Sequence, residues 1–246
     1  MKVLSIGNSF SQDAHKWLKE LADINDFEIE LANLYIGGAN LETHWTNIIE
    51  DNEDYDYEIN GGEAERKIGI KEALGLEKWD VVTLQQCSSY SGMPETFKPY
   101  LDNLIAYVKE NCPSAKIVFH ETWAYEIDSD HCDFVFYEND QKKMADAIVS
   151  ANKKIHNEYG LDIIRAGEAV QYVRENISEF DYKNGGLSLN RDGYHLTLDY
   201  GRFTVAVTWL KALSGKNVRE CKFRDFDVEK TNKIISSINK NEDIFF

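Results

Sequence analysis

The chain has 246 residues, with 27 Lys and Arg against 43 Asp and Glu, and a formal charge of −16. A surface so acidic repels phosphate backbones and anionic bilayers, which argues against nucleic acid or a membrane as a partner. No stretch of about 18 apolar residues is present to span a bilayer. With 43% hydrophobic residues, the chain is long enough to bury a core without staples, and one domain over residues 1–246 is expected.

Short apolar runs alternate with helical patterns. Val3 to Ile6 reads as a buried strand ending at Gly7, and Ala14, Trp17, Leu18 and Leu21 then follow helical spacing. Phe27, Ile29 and Leu31 alternate with Glu28 and Glu30, the period of a half-exposed strand at a sheet edge. The segment 42–66 is irregular and acidic, and as a long insertion it is expected either as a lid over the site or as a solvated excursion. Val81 to Leu84, Ile117 to Phe119 and Leu161 to Ile164 supply three further strands. Helical stripes run from Phe97 to Val108, from Met144 to Ile155 and from Ala206 to Leu213, the last stopped by Gly215. A final helix starts at Val228 with Asp227 as its cap.

This alternation predicts an α/β fold: a three-layer α/β/α sandwich around a five-stranded parallel sheet, with order 2-1-3-4-5. Ligands of such sheets bind beyond the carboxyl ends of the strands. Gly7-Asn8-Ser9, Gly37-Gly38, Gln85-Gln86-Cys87-Ser88 and His120-Glu121 follow strands, and Asp192-Gly193-Tyr194-His195 precedes a late helix. Together they offer a hydroxyl, flexible backbone donors, two amides and an Asp with a His, the inventory of acyl transfer. A serine needs an imidazole to take its proton, the imidazole needs a carboxylate to orient it, and the intermediate needs donors where negative charge appears. The roles fall to Ser9 as nucleophile, His195 as base and Asp192 as orienting carboxylate. The N–H groups of Ser9 and Gly38 and the Gln86 side chain are the expected oxyanion donors, with Gln85 as the alternative facing the site. Activity should rise with pH as the imidazole loses its proton.

Gly7-Asn8-Ser9 resembles the Gly-Asp-Ser block of the SGNH (GDSL-type) esterases, and Asp192-x-x-His195 resembles their late Asp-x-x-His block. Gly37-Gly38 is placed like their second-block glycine, and the resemblance runs from residue 7 to about residue 213. A little-characterised SGNH-like branch, with Gly-Asn-Ser-Phe, Leu-Gln-Gln and Thr-Trp-Ala-Tyr (here Thr122 to Tyr125), is the nearest. The family's third block, Gly-x-Asn-Asp, is absent, and some SGNH carbohydrate esterases carry Gln there. The resemblance implies no metal or cofactor and hydrolysis of esters, often acetyl groups on sugars.

Ser11 is a rival nucleophile by proximity. Trp45, Trp123 and Tyr125 are candidate stacking surfaces for a sugar. His120-Glu121, with His131 and Cys132 nearby, lacks metal-ligand spacing, so no metal is expected. Cys87, Cys112, Cys132 and Cys221 show no CxxC pair and are expected as thiols. The apolar stretch Val3 to Ile6 is too short for a signal-peptide core, so a cytoplasmic location is expected. The expected partner is a small-molecule or carbohydrate ester. The alternatives are a noncatalytic carbohydrate-binding module on the same scaffold and a thioesterase or peptidase with the same triad.

Overall fold

The structure is a computed structural model and describes residues 1–241. In chain order its elements are β1 (Lys2–Gly7), α1 (Ser9–His15), α2 (Leu18–Ile24), β2 (Glu30–Tyr35), α3 (Leu41–Ile49), β3 (Tyr55–Ile59), β4 (Ala64–Ile68) and α4 (Ile70–Leu76). After these come β5 (Val81–Leu84), α5 (Tyr100–Asn111), β6 (Lys116–His120), α6 (Gln141–Tyr159), β7 (Asp162–Ile164), α7 (Ala166–Asn176), α8 (Tyr200–Ser214) and α9 (Val228–Lys240).

Among the described residues, seven strands form one sheet in the order β4-β3-β2-β1-β5-β6-β7. The run β2-β1-β5-β6-β7 is parallel throughout, and in it the five expected strands stand in the expected order 2-1-3-4-5. Both faces are buried, as parallel sheets require. Val3, Leu31, Val81 and Val118 face one apolar layer, and their neighbours Leu4, Ala32, Val82 and Phe119 face the other. No helix of the described residues is long and apolar enough to cross a membrane.

Two expectations are corrected. The second strand begins at Glu30, not Phe27, and it lies inside the sheet with Leu31 to Leu34 buried. Its edge is covered because residues 42–66 are not irregular. They hold most of α3 and the antiparallel hairpin of β3 and β4, which extends the sheet beyond β2. The acidic residues obscured the pattern: Tyr55 and Tyr57 alternate with Asp54, Asp56 and Glu58, a period of two that marks a strand.

Helix ends follow local chemistry. The Asp227 carboxylate accepts from the N–H groups of Glu229 and Lys230, opening α9 as expected. Helix α8 is buried on nearly all sides from Phe203 to Leu210 and packs against α1, α2, α7 and α9. It fixes the loop that precedes it, which carries Asp192 and His195, against the helix that follows β1.

Candidate active site

At the carboxyl end of β1 the chain turns directly into α1. Asn8 caps that helix: its Oδ1 accepts from the Phe10 N–H at 2.9 Å. The same oxygen accepts from Gln85 Nε2 at 2.7 Å, and Asn8 Nδ2 donates to the Ala39 carbonyl at 2.9 Å. One side chain thus ties together the turns after β1, β2 and β5. Ser9 is the first residue of α1, so its N–H has no partner within the helix. Gly38 adopts φ +69°, a conformation that disfavours any side chain.

The second half of the site arrives from the far end of the chain. Gly193, at φ +84°, makes the turn that folds His195 back over Asp192, and a Cβ there would strike Ser129. His195 Nδ1 lies 2.7 Å from Asp192 Oδ2, and His195 Nε2 lies 2.8 Å from Ser9 Oγ. The His195 and Tyr194 N–H groups both donate to Asp192 Oδ1. Partial burial pushes the Asp192 carboxyl up, but the hydrogen bonds from the His195 ring and backbone outweigh it and hold the group below its usual range.

A buried ionic knot fastens this loop to α1. Asp13, fully buried, receives Arg202 Nε at 2.7 Å and Arg191 Nη1 at 3.2 Å on Oδ1, and the Leu196 N–H at 2.9 Å on Oδ2. Trp123 supports the loop from beneath, stacking on Phe10 and donating Nε1–H to the Tyr194 carbonyl at 2.8 Å.

Ser9 and His195 open onto a cavity of about 380 Å³, lined also by Tyr35, Gly37, Gly38, Cys87, Ser88, Ser89, His131, Asp133 and Tyr194. Hollows of about 660 and 750 Å³ lie elsewhere, but neither brings a hydroxyl beside an imidazole. Burial pushes the Cys87 thiol up, which keeps it protonated.

Other sequence expectations meet the geometry differently. Gln86 is not available to an oxyanion. Strand parity sends it to the face of Val82 and Leu84, where its Oε1 accepts from the Leu41 and Cys87 N–H groups and its Nε2 points to Thr96. Gln85 faces the α1 side but is equally committed, donating to Asn8 while its Oε1 meets His120 Nδ1 at 3.0 Å. Ser11 is buried against Asn8 O and Asn33 Oδ1, with no base beside it, so it is no rival nucleophile. Trp123 and Tyr125 are fully buried and offer no face to a sugar, and Trp45 packs edge-on against Tyr107. Phe136 is exposed and stacks with Tyr90.

Sequence reasoning missed Asp13, Ser88 and Asp133. Only Asp13 left a signal, an acid on the apolar stripe of Phe10, Ala14 and Trp17. Ser88 Oγ lies 2.9 Å from the hydroxyl of Tyr125, whose burial pushes its pKa up and keeps it protonated. The consecutive residues His131, Cys132 and Asp133 bring one donor atom each within 4.8 Å of one another, with His131 Nδ1 already accepting the Asp133 N–H. Burial lowers the His15 and His120 imidazoles to about 3, so both are neutral core groups. Cys87, Cys112, Cys132 and Cys221 are free thiols.

A match to the family described as "Domain of unknown function (DUF4886)" covers residues 2–242. No curated relative matches the chain. A crystal structure of a DUF4886 family protein from Bacteroides uniformis is 35% identical, with a TM-score of 0.90 over 100% of this chain and 95% of that one. A candidate SGNH hydrolase from Slackia heliotrinireducens superposes with a TM-score of 0.55 at 18% identity, covering 87% of this chain and 98% of its own. An acetylxylan esterase from Geobacillus stearothermophilus gives 0.53 at 15% identity over 85% and 92%. The fold is therefore that of the SGNH hydrolases.

Proposed function

Because the chain belongs to the DUF4886 family and has the SGNH hydrolase fold, we propose that it is a serine ester hydrolase that removes small acyl groups, acetyl above all, from carbohydrate or related hydroxyl compounds. One observation carries the reading: an unbroken hydrogen-bonded chain from Ser9 Oγ through His195 to Asp192, across 186 residues of sequence.

In this reading Ser9 Oγ attacks the ester carbonyl while His195 Nε2 takes its proton. Asp192 holds Nδ1–H, fixes the tautomer and stabilises the imidazolium. The tetrahedral oxyanion is held by the N–H groups of Ser9 and Gly38. We assign Ser88 as a third donor in place of the expected Gln86: its Oγ lies 2.9 Å from the Tyr125 hydroxyl, and in the arrangement where the phenol donates, the Ser88 proton turns toward the cavity it lines. His195 then protonates the departing alkoxide, the acyl enzyme forms, and water activated by the same imidazole releases the acid. The acetylxylan esterase among the structural neighbours supports an acetyl ester as substrate.

A screen of short aryl esters and acetylated sugars, run beside Ser9→Ala, tests the reading. We expect turnover by the wild type, a kcat at least ~10³ lower for the variant with the fold intact, and fluorophosphonate modification mapping to Ser9. Undiminished turnover by Ser9→Ala would refute it. The commitment of both Gln side chains elsewhere favours, as a second reading, a noncatalytic sugar-binding module; sugar binding without labelling of Ser9 would select it.

A further inference from the structure

The cavity that Ser9, His195 and Gly38 line is lined also by His131 and Asp133, at the start of the 3-10 turn Cys132–Tyr137. Tyr194 links the two groups, its ring 4.2 Å from that of His195 and 4.8 Å from that of His131. The Asp133 N–H donates to His131 Nδ1 at 3.2 Å. That bond uses the Nδ1 lone pair, so the neutral ring carries its proton on Nε2 and is a donor there. Tyr125 and Tyr194 pack on the ring, each with its centroid at 4.8 Å, and fix its plane. The Asp133 carboxylate meets only a weak thiol donor, Cys132 Sγ at 3.5 Å, and among the described residues no cation lies within ion-pair distance of it.

A carboxylate without a counter-ion beside an imidazole N–H, lining the same small cavity as a nucleophile, is matched by an uncharged group rich in hydroxyls. One O–H donates to the carboxylate while a neighbouring oxygen accepts from the ring. A carboxylate on the substrate would meet Asp133 at close range, where like charges repel strongly. We infer that His131 and Asp133 bind the alcohol half of the ester and select a neutral polyhydroxylated alcohol, such as a sugar, over an anionic one. The inference rests on the hydrolase reading for its reaction, but the binding it describes can be measured without turnover.

The test compares wild type, Asp133→Ala and Asp133→Asn on phenyl acetate, a singly acetylated methyl xyloside and the matching acetylated uronate. Asp133→Ala should lower kcat/KM for the xyloside at least tenfold more than for phenyl acetate, with the difference in KM. Asp133→Asn keeps an acceptor but loses the charge. It should retain more xyloside activity than Asp133→Ala and raise the uronate-to-xyloside ratio at least fivefold at low salt. Selectivity ratios equal to wild type in both variants would overturn the inference while leaving the hydrolase reading intact. If the wild type turned over none of the three, the hydrolase reading would fall. The alcohol site would then be read by titrating Ser9→Ala with the acetylated xyloside: tenfold weaker binding on adding Asp133→Ala supports it, and equal binding overturns it.

Discussion

Asp13 offers the sharpest test of how two ends of the chain are held in register. It lies one helical turn beyond Ser9, with none of its surface exposed, and its two oxygens serve Arg202, Arg191 and the N–H of Leu196, the residue after His195. Replacing it with Ala strands the Leu196 N–H, a loss of about 1–3 kcal/mol. It also leaves two guanidinium groups without their shared counter-ion, and breaking a buried pair costs about 3–5 kcal/mol. Arg191 keeps its bond to the Leu196 carbonyl and a weak approach to Asp192 at 3.9 Å, which discounts the sum. A net destabilisation of about 4 kcal/mol is expected, lowering Tm by roughly 8–16 °C in a chain of this size. Asp13→Asn preserves an acceptor for Leu196 and should lose about half as much. Because small displacements between nucleophile and base are costly, kcat should also fall about 100-fold in Asp13→Ala, measured well below its Tm. Thermal unfolding by circular dichroism and turnover of an aryl acetate read the two effects. An Asp13→Ala protein that melts within about 2 °C of wild type and keeps its kcat would refute the argument.

Other consequences follow from the same geometry. Asp192→Asn should lower kcat by about 10⁴, because an amide facing His195 Nδ1 no longer selects the tautomer that accepts the Ser9 proton; steady-state kinetics with a matched melting curve check this. Ser88→Ala should lower kcat by about 10² with little change in KM, and Tyr125→Phe should do so less, as expected for a donor to the transition state and its support. An equal loss in KM for Ser88→Ala would point to ground-state binding. Glu121 is buried beside Glu168, with Oε2 unpartnered, and desolvation first and the neighbouring carboxylate second raise it to about 8. The folded state therefore holds a proton that the unfolded chain gives up near the ordinary glutamate range, so Glu121 weakens the fold as pH rises from about 4.5 to 8. Glu121→Gln should leave Tm nearly unchanged at pH 5 and raise it at pH 8; an equal shift at both would contradict the linkage.

The chain alone marked the parallel core of the sheet, because β1, β5, β6 and β7 are short apolar runs whose pattern is written in neighbouring residues; the start and depth of β2 and the two strands beyond it, which bring the sheet to seven, were not marked. It also singled out Ser9, Asp192 and His195 as candidates, which the fold brings within hydrogen-bonding distance, since a hydroxyl at a strand end and an Asp-x-x-His turn are patterns of a few positions. Tyr55 and Tyr57 held the signal for the hairpin, though acidic neighbours hid it. What only the tertiary structure decided is which groups meet: that Gln86 turns to Leu41 and Thr96, that Trp123 lies under the histidine loop, that Asp13 clamps that loop to α1, and that Asp133 lines the same cavity as Ser9. Periodicity is a local property, legible along a chain, whereas a hydrogen bond or ion pair between residues far apart in sequence exists only once the packing of α1, α8 and the sheet has fixed their separation.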